Sequence, residues 1–216
     1  MFYTIHIPWW VKKLYAPALV WEIPAAENSI FLTFDDGPHE TATPFILDQL
    51  RKYQAKATFF CIGKNVQEHP LLYRRILEEG HKVGNHTQNH LNGWKTETNA
   101  YLTDIREAEK HIQSNLFRPP YGRIRRDQIK SLTSPGSKSS LNVPGCYKII
   151  MWNVLSGDFD ERLSKEKCLD NVLKNTKSGS IVVFHDSSKA WERMQFALPV
   201  TLEHFSRKGY VFRTIG

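Results

Sequence analysis

The 216 residues are 41% hydrophobic, 24% charged and 12% aromatic, which suits one compact domain with a single sizeable core rather than two domains. An excess of 29 Lys and Arg over 22 Asp and Glu gives a net charge of +7, favouring anionic partners such as cell-wall polymers or nucleic acid, but the clusters Lys12-Lys13, Arg74-Arg75 and Arg123 to Arg126 are short and scattered, as on a solvated surface, and imply neither a nucleic-acid footprint nor a protein partner. No apolar stretch nears the ~20 residues that span a bilayer, and Cys61, Cys146 and Cys168 are too few and too widely spaced for a disulfide framework.

Residues 1–28 contain Lys12-Lys13, Leu14 to Trp21 and Pro24-Ala25-Ala26, a faint echo of a secretory signal with a late basic pair and Pro17 interrupting a short apolar run. An aromatic-rich arm packed on a domain of residues 29–216 is the expectation; cytoplasmic residence and export by another route both stay open. From residue 30, β-branched or aromatic runs alternate with segments of helical period, the pattern of β-α-β units around a parallel sheet. Strands are expected at Ile30–Phe34, Ala57–Cys61, Lys82–Asn85, Phe117, Tyr147–Trp152, Ser180–Phe184 and Tyr210–Arg213.

Helical faces read as Ile46, Leu47, Leu50 and Tyr53; Leu71, Leu72, Ile76 and Leu77; and Tyr101, Ile105, Ala108 and Ile112. Two more helices are expected near Lys165 to Lys174 and Glu192 to Lys208, the second interrupted by Pro199. Ser131 to Gly145 lacks either period and reads as a surface loop. Periodicity does not choose between an open sheet and a barrel, but in both the ligand sits at the carboxyl ends of the strands.

The chemical residues gather at those ends. Asp35 and Asp36 close the first strand, and Gly37-Pro38 supplies the sharp turn that two adjacent carboxylates need to converge on one site. His86-Thr87-Gln88-Asn89-His90 follows another strand, and a spacing of four puts both imidazoles on one face of a helical turn, suited to grip one metal ion. His6, His39, His69, His81, His111 and His204 carry no such pattern and read as structural. With a carboxylate the pair forms a two-His, one-Asp set that leaves positions open for water and substrate; zinc suits it first, and cobalt, nickel or manganese also fit.

In Phe117-Arg118-Pro119-Pro120-Tyr121-Gly122 the prolines lack N–H groups, so the first backbone donor after Arg118 is that of Tyr121, a candidate oxyanion donor on a stiff segment. His185 ends the apolar strand Val182-Val183-Phe184 as a general acid beside a dry site would, and Asp158 before Phe159 is placed to orient an imidazole. Trp94 and Trp191 offer faces that could stack on a sugar, packing being the ordinary role of either.

Thr33-Phe34-Asp35-Asp36-Gly37-Pro38, His86 to His90, Arg118-Pro119-Pro120-Tyr121-Gly122, Asp158-Phe159 and Val183-Phe184-His185 together resemble the ordered motifs of the polysaccharide deacetylases with a NodB homology domain, over roughly residues 29 to 215. The resemblance implies a distorted (β/α) barrel of about seven parallel strands in a single domain, and metal-dependent N-deacetylation of a chitin-like or peptidoglycan-like oligo- or polysaccharide. It also implies roles: Asp36, His86 and His90 bind one divalent metal, Asp35 is the base, Arg118 holds that base, His185 is the acid and Asp158 tunes it. Pro119, Pro120, Tyr121 and Phe159 are then the substrate-lining positions. The family commonly has Trp after the fourth-motif Asp and often another Asp three residues before it, where this chain has Phe159 and Leu155. Three other readings stand beside this one: an amidohydrolase acting on a non-sugar amide, an iron oxygenase built on the same two-His, one-carboxylate triad, and a non-catalytic glycan-binding module.

Overall fold

A short apolar pair opens the fold: in the computed structural model, which describes residues 18–24, 28–134 and 147–216, Leu19–Val20 forms strand β1, and Leu19 and Trp21 are buried. β2 follows (Ser29–Asp36), then helix α1 (Ala42–Lys52), β3 (Ala57–Cys61), α2 (Gly63–Glu68), α3 (Pro70–Glu78), β4 (Lys82–Asn85) and α4 (Thr98–Glu109). β5 (Leu116–Phe117) leads through a 3-10 turn at Pro120–Gly122 to α5 (Arg126–Thr133); β6 (Lys148–Ile150), β7 (Val154–Leu155), α6 (Lys165–Asn175), β8 (Ile181–His185), α7 (Trp191–Arg207) and β9 (Val211–Phe212) complete it. The strands run in the order β1-β6-β5-β4-β3-β2-β8-β7, all parallel, with β9 on the amino end of β2. It is a single-domain, barrel-like sheet of parallel strands with helices, as the motifs imply.

Every expected strand is present, and β1 and β7 are additional. β2, β3 and β8 are buried on both faces, which is why they read as continuous apolar runs rather than alternating ones. Phe34 stacks between Phe59 and Phe184 of its two neighbours, at centroid separations of 5.0 and 6.2 Å. Burying each such ring stabilises the fold by roughly 1.5–3 kcal/mol, and the larger core joins them to Ile46, Leu47 and Leu50 of α1 and Met194, Leu198 and Leu202 of α7.

Some expectations are corrected. The Ser131–Gly145 loop begins inside a helix, because α5 runs through Thr133 with Ile129 and Leu132 buried; its residues 135–145, Cys146 and arm residues 1–17 lie outside the described residues. On α3 only Ile76 is buried, and Leu71 and Leu77 face solvent. Pro199 lies within one continuous α7. Cys61 and Cys168 are buried free thiols. Among the described residues no helix is long and apolar enough to cross a membrane.

Candidate active site

Parallel register assembles the site. Asp35 is level with His185 on β8, Asp36 is level with Cys61 on β3, and Asn85 is level with Phe117 on β5, so the segments that follow these strands emerge side by side at the carboxyl edge. Extended backbone would send Asp35 and Asp36 to opposite faces. Asp36 instead has φ 88°, and both carboxylates act on the same imidazoles, His86 and His185. The turn therefore begins at Asp36 itself. Gly37 is needed for a different reason: a Cβ there would lie 1.8 Å from the Asp186 carboxylate, whose Oδ1 accepts the Gly37 N–H at 2.9 Å and whose Oδ2 accepts the Thr43 hydroxyl at 2.7 Å.

The histidine pair does converge, but not on a helical turn. Residues 86–90 are irregular, and Thr87 and His90 take φ 66° and 56°. The segment is held from outside: the Gly63 N–H donates to Thr87 O, the Thr87 N–H to Asn85 Oδ1, and the Gln88 and Asn89 N–H groups to Asp104 Oδ2. One ligand atom from each of Asp36, His86 and His90 then lies within 4.8 Å of the others. The Nε2 atoms of His86 and His90 are 3.6 and 3.2 Å from Asp36 Oδ1. That oxygen is buried without a geometrically sound hydrogen bond, the state of an atom whose partner is an ion.

Second contacts fit the same reading. His86 Nδ1 donates to the Arg118 carbonyl at 2.7 Å, which fixes the tautomer and leaves the Nε2 lone pair facing the site, as metal-bound histidines are usually held. Burial pushes the His86 pKa down to about 4, against the pull of Asp35 and Asp36, so the ring is neutral and able to ligate near neutral pH. Burial opposes the charge of Asp36, but the nearby imidazoles of His90, His185 and His86 outweigh it and hold the carboxyl below its usual range. The donors fit a divalent cation.

Asp35 is buried, and its Oδ1 accepts from Arg118 Nη1 at 2.6 Å. Arg118 is wholly buried, stacks 4.1 Å above the Phe60 ring, and donates to Thr33 Oγ1, Ile150 O and Met151 O. Nearly every donor of the guanidinium is spent on fixed acceptors, so the group holds Asp35 in one position. Tyr121 has φ 61°, and its ring packs 4.6 Å from that of His90. Pro119 and Pro120 are buried behind it, and Tyr121 is the half-exposed member of that segment.

On the other flank His185 donates Nδ1–H to Asp158 Oδ1 at 2.8 Å, and its own backbone N–H to Asp158 Oδ2 at 2.7 Å. Burial alone would discharge this ring. Asp158, with Asp36 and Asp35, outweighs burial and raises the pKa to about 10. Phe159 stands edge-on to the ring at 5.2 Å, an apolar wall. Asp35, Asp36, His86, His90, Arg118, Tyr121, Asp158, Phe159 and His185 are thus joined around one site by these contacts.

The polysaccharide deacetylase family model matches residues 22–139. A peptidoglycan-N-acetylglucosamine deacetylase of Bacillus cereus is 36% identical over 203 residues, covering 91% of each chain. The chain belongs to the polysaccharide deacetylase family. A chitooligosaccharide deacetylase of Azorhizobium caulinodans is 31% identical over 167 residues, 74% of each chain. Among solved structures, a peptidoglycan N-acetylglucosamine deacetylase in complex with an N-hydroxybenzamide superposes with a TM-score of 0.82 at 31% identity, covering 97% of this chain and 95% of that one. Other relatives are longer, and this chain spans 62% and 42% of two of them.

This polysaccharide deacetylase also uses residues that the motifs did not flag. Asp104 takes three hydrogen bonds from the His86–His90 segment, from the Gln88 and Asn89 amides and Asn89 Nδ2. Its signal was legible, since an acid stands on the apolar face of Tyr101, Ile105 and Ala108. Asp186 braces Gly37, next to Asp36; burial pushes its pKa up to about 7. Arg193 on α7 donates Nε–H to Asp158 O at 2.7 Å, and nothing in the sequence pointed to it.

Proposed function

We propose that the chain hydrolyses the acetamide of an N-acetylated glycan of the peptidoglycan or chitin type, releasing acetate, with one divalent ion held by Asp36, His86 and His90. The observation that carries this is the meeting of one ligand atom each from Asp36, His86 and His90 within 4.8 Å, the Asp36 oxygen among them buried without a hydrogen-bond partner, beside a carboxylate fixed by a buried arginine. Relatives named for peptidoglycan and chitooligosaccharides support the substrate class.

A divalent ion in that place would polarise the acetyl oxygen and make a water acidic enough to attack near neutral pH. Asp35, oriented by Arg118, accepts the proton of the attacking water, whose oxygen adds to the acetyl carbon. The Tyr121 N–H donates to the oxygen that gains charge. His185, kept protonated by Asp158, gives a proton to the sugar nitrogen as the C–N bond breaks, leaving acetate and a free amine. Tyr121 and Phe159 flank the acetyl group on its two sides, with Pro119 and Pro120 setting the position of Tyr121. Arg118 and His185 have work in this sequence that an oxygenase would not give them.

The test is acetate release from chitooligosaccharides and peptidoglycan fragments, run beside small cyclic amides. Turnover of the glycans is the expected result. Turnover confined to the cyclic amides would replace the sugar with another amide while keeping the chemistry, and binding without turnover would reduce the protein to a glycan-binding module.

A further inference from the structure

Beside the metal-facing residues stands a feature that the proposed chemistry does not use. Trp94 lies four residues after His90, so their Cα atoms are within about 15 Å of each other, and the indole is 58% exposed. It is not a loose surface ring. Its Nε1–H donates to Ile124 O at 3.1 Å and its backbone N–H to Asn92 Oδ1, while Gln128 Nε2 grips Gly93 O at 2.9 Å. A Cβ on Gly93 would come within 2.5 Å of Arg123 O, so the loop carrying Trp94 is pressed against the segment that follows Tyr121.

That segment contributes Arg123, whose guanidinium carbon lies 5.2 Å from the Trp94 ring centroid and whose charge also reaches Tyr121. Arg125 is paired with Asp127 and Arg118 with Asp35; Arg123 forms no ion pair among the described residues. An exposed indole with its polar edge already satisfied presents an apolar face, which the C–H face of a pyranose can cover. A cation held beside it without a counter-ion favours a carboxylate. Trp191 is excluded from this role, because it packs edge-on against Phe45 at 5.3 Å and is partly buried.

We propose that Trp94 and Arg123 form a sugar subsite next to the acetamide site, with Trp94 stacking on a neighbouring sugar and Arg123 binding a carboxylate carried by that sugar or its substituent, so that acidic peptidoglycan-type glycans are preferred over neutral chitin-type oligomers of equal length. The inference rests on the glycan reading above and assigns the preference to two residues outside the acid-base and metal set. Arg123 is part of the motif-adjacent segment yet touches none of the reacting groups.

The experiment compares KM and kcat of the metal-loaded protein on a neutral N-acetylglucosamine oligomer and on an equal-length glycan whose alternate sugars bear a lactyl carboxylate. Trp94→Ala should raise KM about ten-fold on both, with kcat held within about two-fold, and Trp94→Phe should recover most of the loss. Arg123→Gln should raise KM about five-fold on the acidic glycan alone, an effect that added salt reproduces in the wild type. An unchanged acid-to-neutral ratio in Arg123→Gln, or unchanged KM in Trp94→Ala, overturns the subsite. Should the wild type release no acetate from either glycan, the glycan reading fails by itself, and calorimetric Kd values for the same two glycans give the same ratio and decide the subsite.

Discussion

His81 and His86 flank the same strand, β4, and in both burial pushes the pKa down to about 4, yet they are put to opposite uses. His81, at the amino end, accepts the Ala57 N–H on Nδ1 and rests against Phe59 at 5.6 Å. It is a satisfied core histidine. His86, at the carboxyl end, donates Nδ1–H to a carbonyl and leaves Nε2 facing a buried oxygen that has no hydrogen bond. The two ends of the sheet differ in the same way. An open cavity of about 410 Å³ sits at the amino end beside Arg51, Lys56, Glu79 and His81, but its acid is already paired: Arg51 and Arg75 both reach Glu79, at 2.6 and 2.7 Å, with Arg51 exposed and Arg75 half-buried. The carboxyl end collects strain and the unpaired acceptor oxygens of Asp36 and Gln88. Of the five non-glycine residues with positive φ among the described residues, Asp36, Thr87, His90 and Tyr121 are all here, each costing on the order of 1–3 kcal/mol. Burial and a cavity do not mark the site; unspent ligand atoms on strained backbone do.

That contrast can be broken most sharply by one substitution at each end. His86→Gln should lower metal affinity and acetate release by more than the roughly 100-fold that loss of a supporting contact reaches, while His81→Gln should keep activity within about two-fold and cost roughly 1 kcal/mol of stability, read by denaturant titration. Equal losses of activity would erase the distinction. Next in size, Asp35→Asn should bind metal as the wild type does and lose about 10²- to 10⁴-fold in kcat; a variant as fast as the wild type would remove Asp35 as the base. Asp104→Asn should weaken metal binding about 10-fold with little change in the melting temperature of the metal-free protein, since its three bonds hold the ligand segment rather than the core.

The smallest effect concerns pH. His81 is neutral in the fold, with its pKa lowered from 6.5 to about 4. The unfolded chain takes up that proton below about pH 6.5 and the folded chain only near pH 4, so the contribution is complete above pH 6.5 and is lost as pH falls through the window. His81→Gln should therefore flatten the stability curve between those values by nearly one proton, measured on metal-free protein so that ligation of His86 does not intervene. An unchanged slope would place the titration elsewhere.

The distinction between the two ends was only partly legible beforehand. Long apolar runs such as Ile181–Phe184 announced their strands because burial on both faces leaves no room for polar residues, whereas the two-residue strands β1 and β7 are too short to show a period. The spacing of His86 and His90 pointed to a shared ion but to the wrong backbone. Their conformation is imposed by Gly63, Asn85 and Asp104, contacts that lie outside the segment itself. Nor could residue type separate His81 from His86; the partner of each Nδ1 does that, and it comes from elsewhere in the chain, Ala57 on β3 for one and Arg118 just after β5 for the other.

The central claim is that Asp36, His86 and His90 hold one ion on which acetate release depends. Titrating chelator-stripped protein with zinc while following acetate release from an N-acetylated oligosaccharide tests it directly. Activity should be absent at the start, rise with added zinc and break at one equivalent; full activity in the stripped protein, or no response to zinc, cobalt, nickel or manganese, would contradict the account.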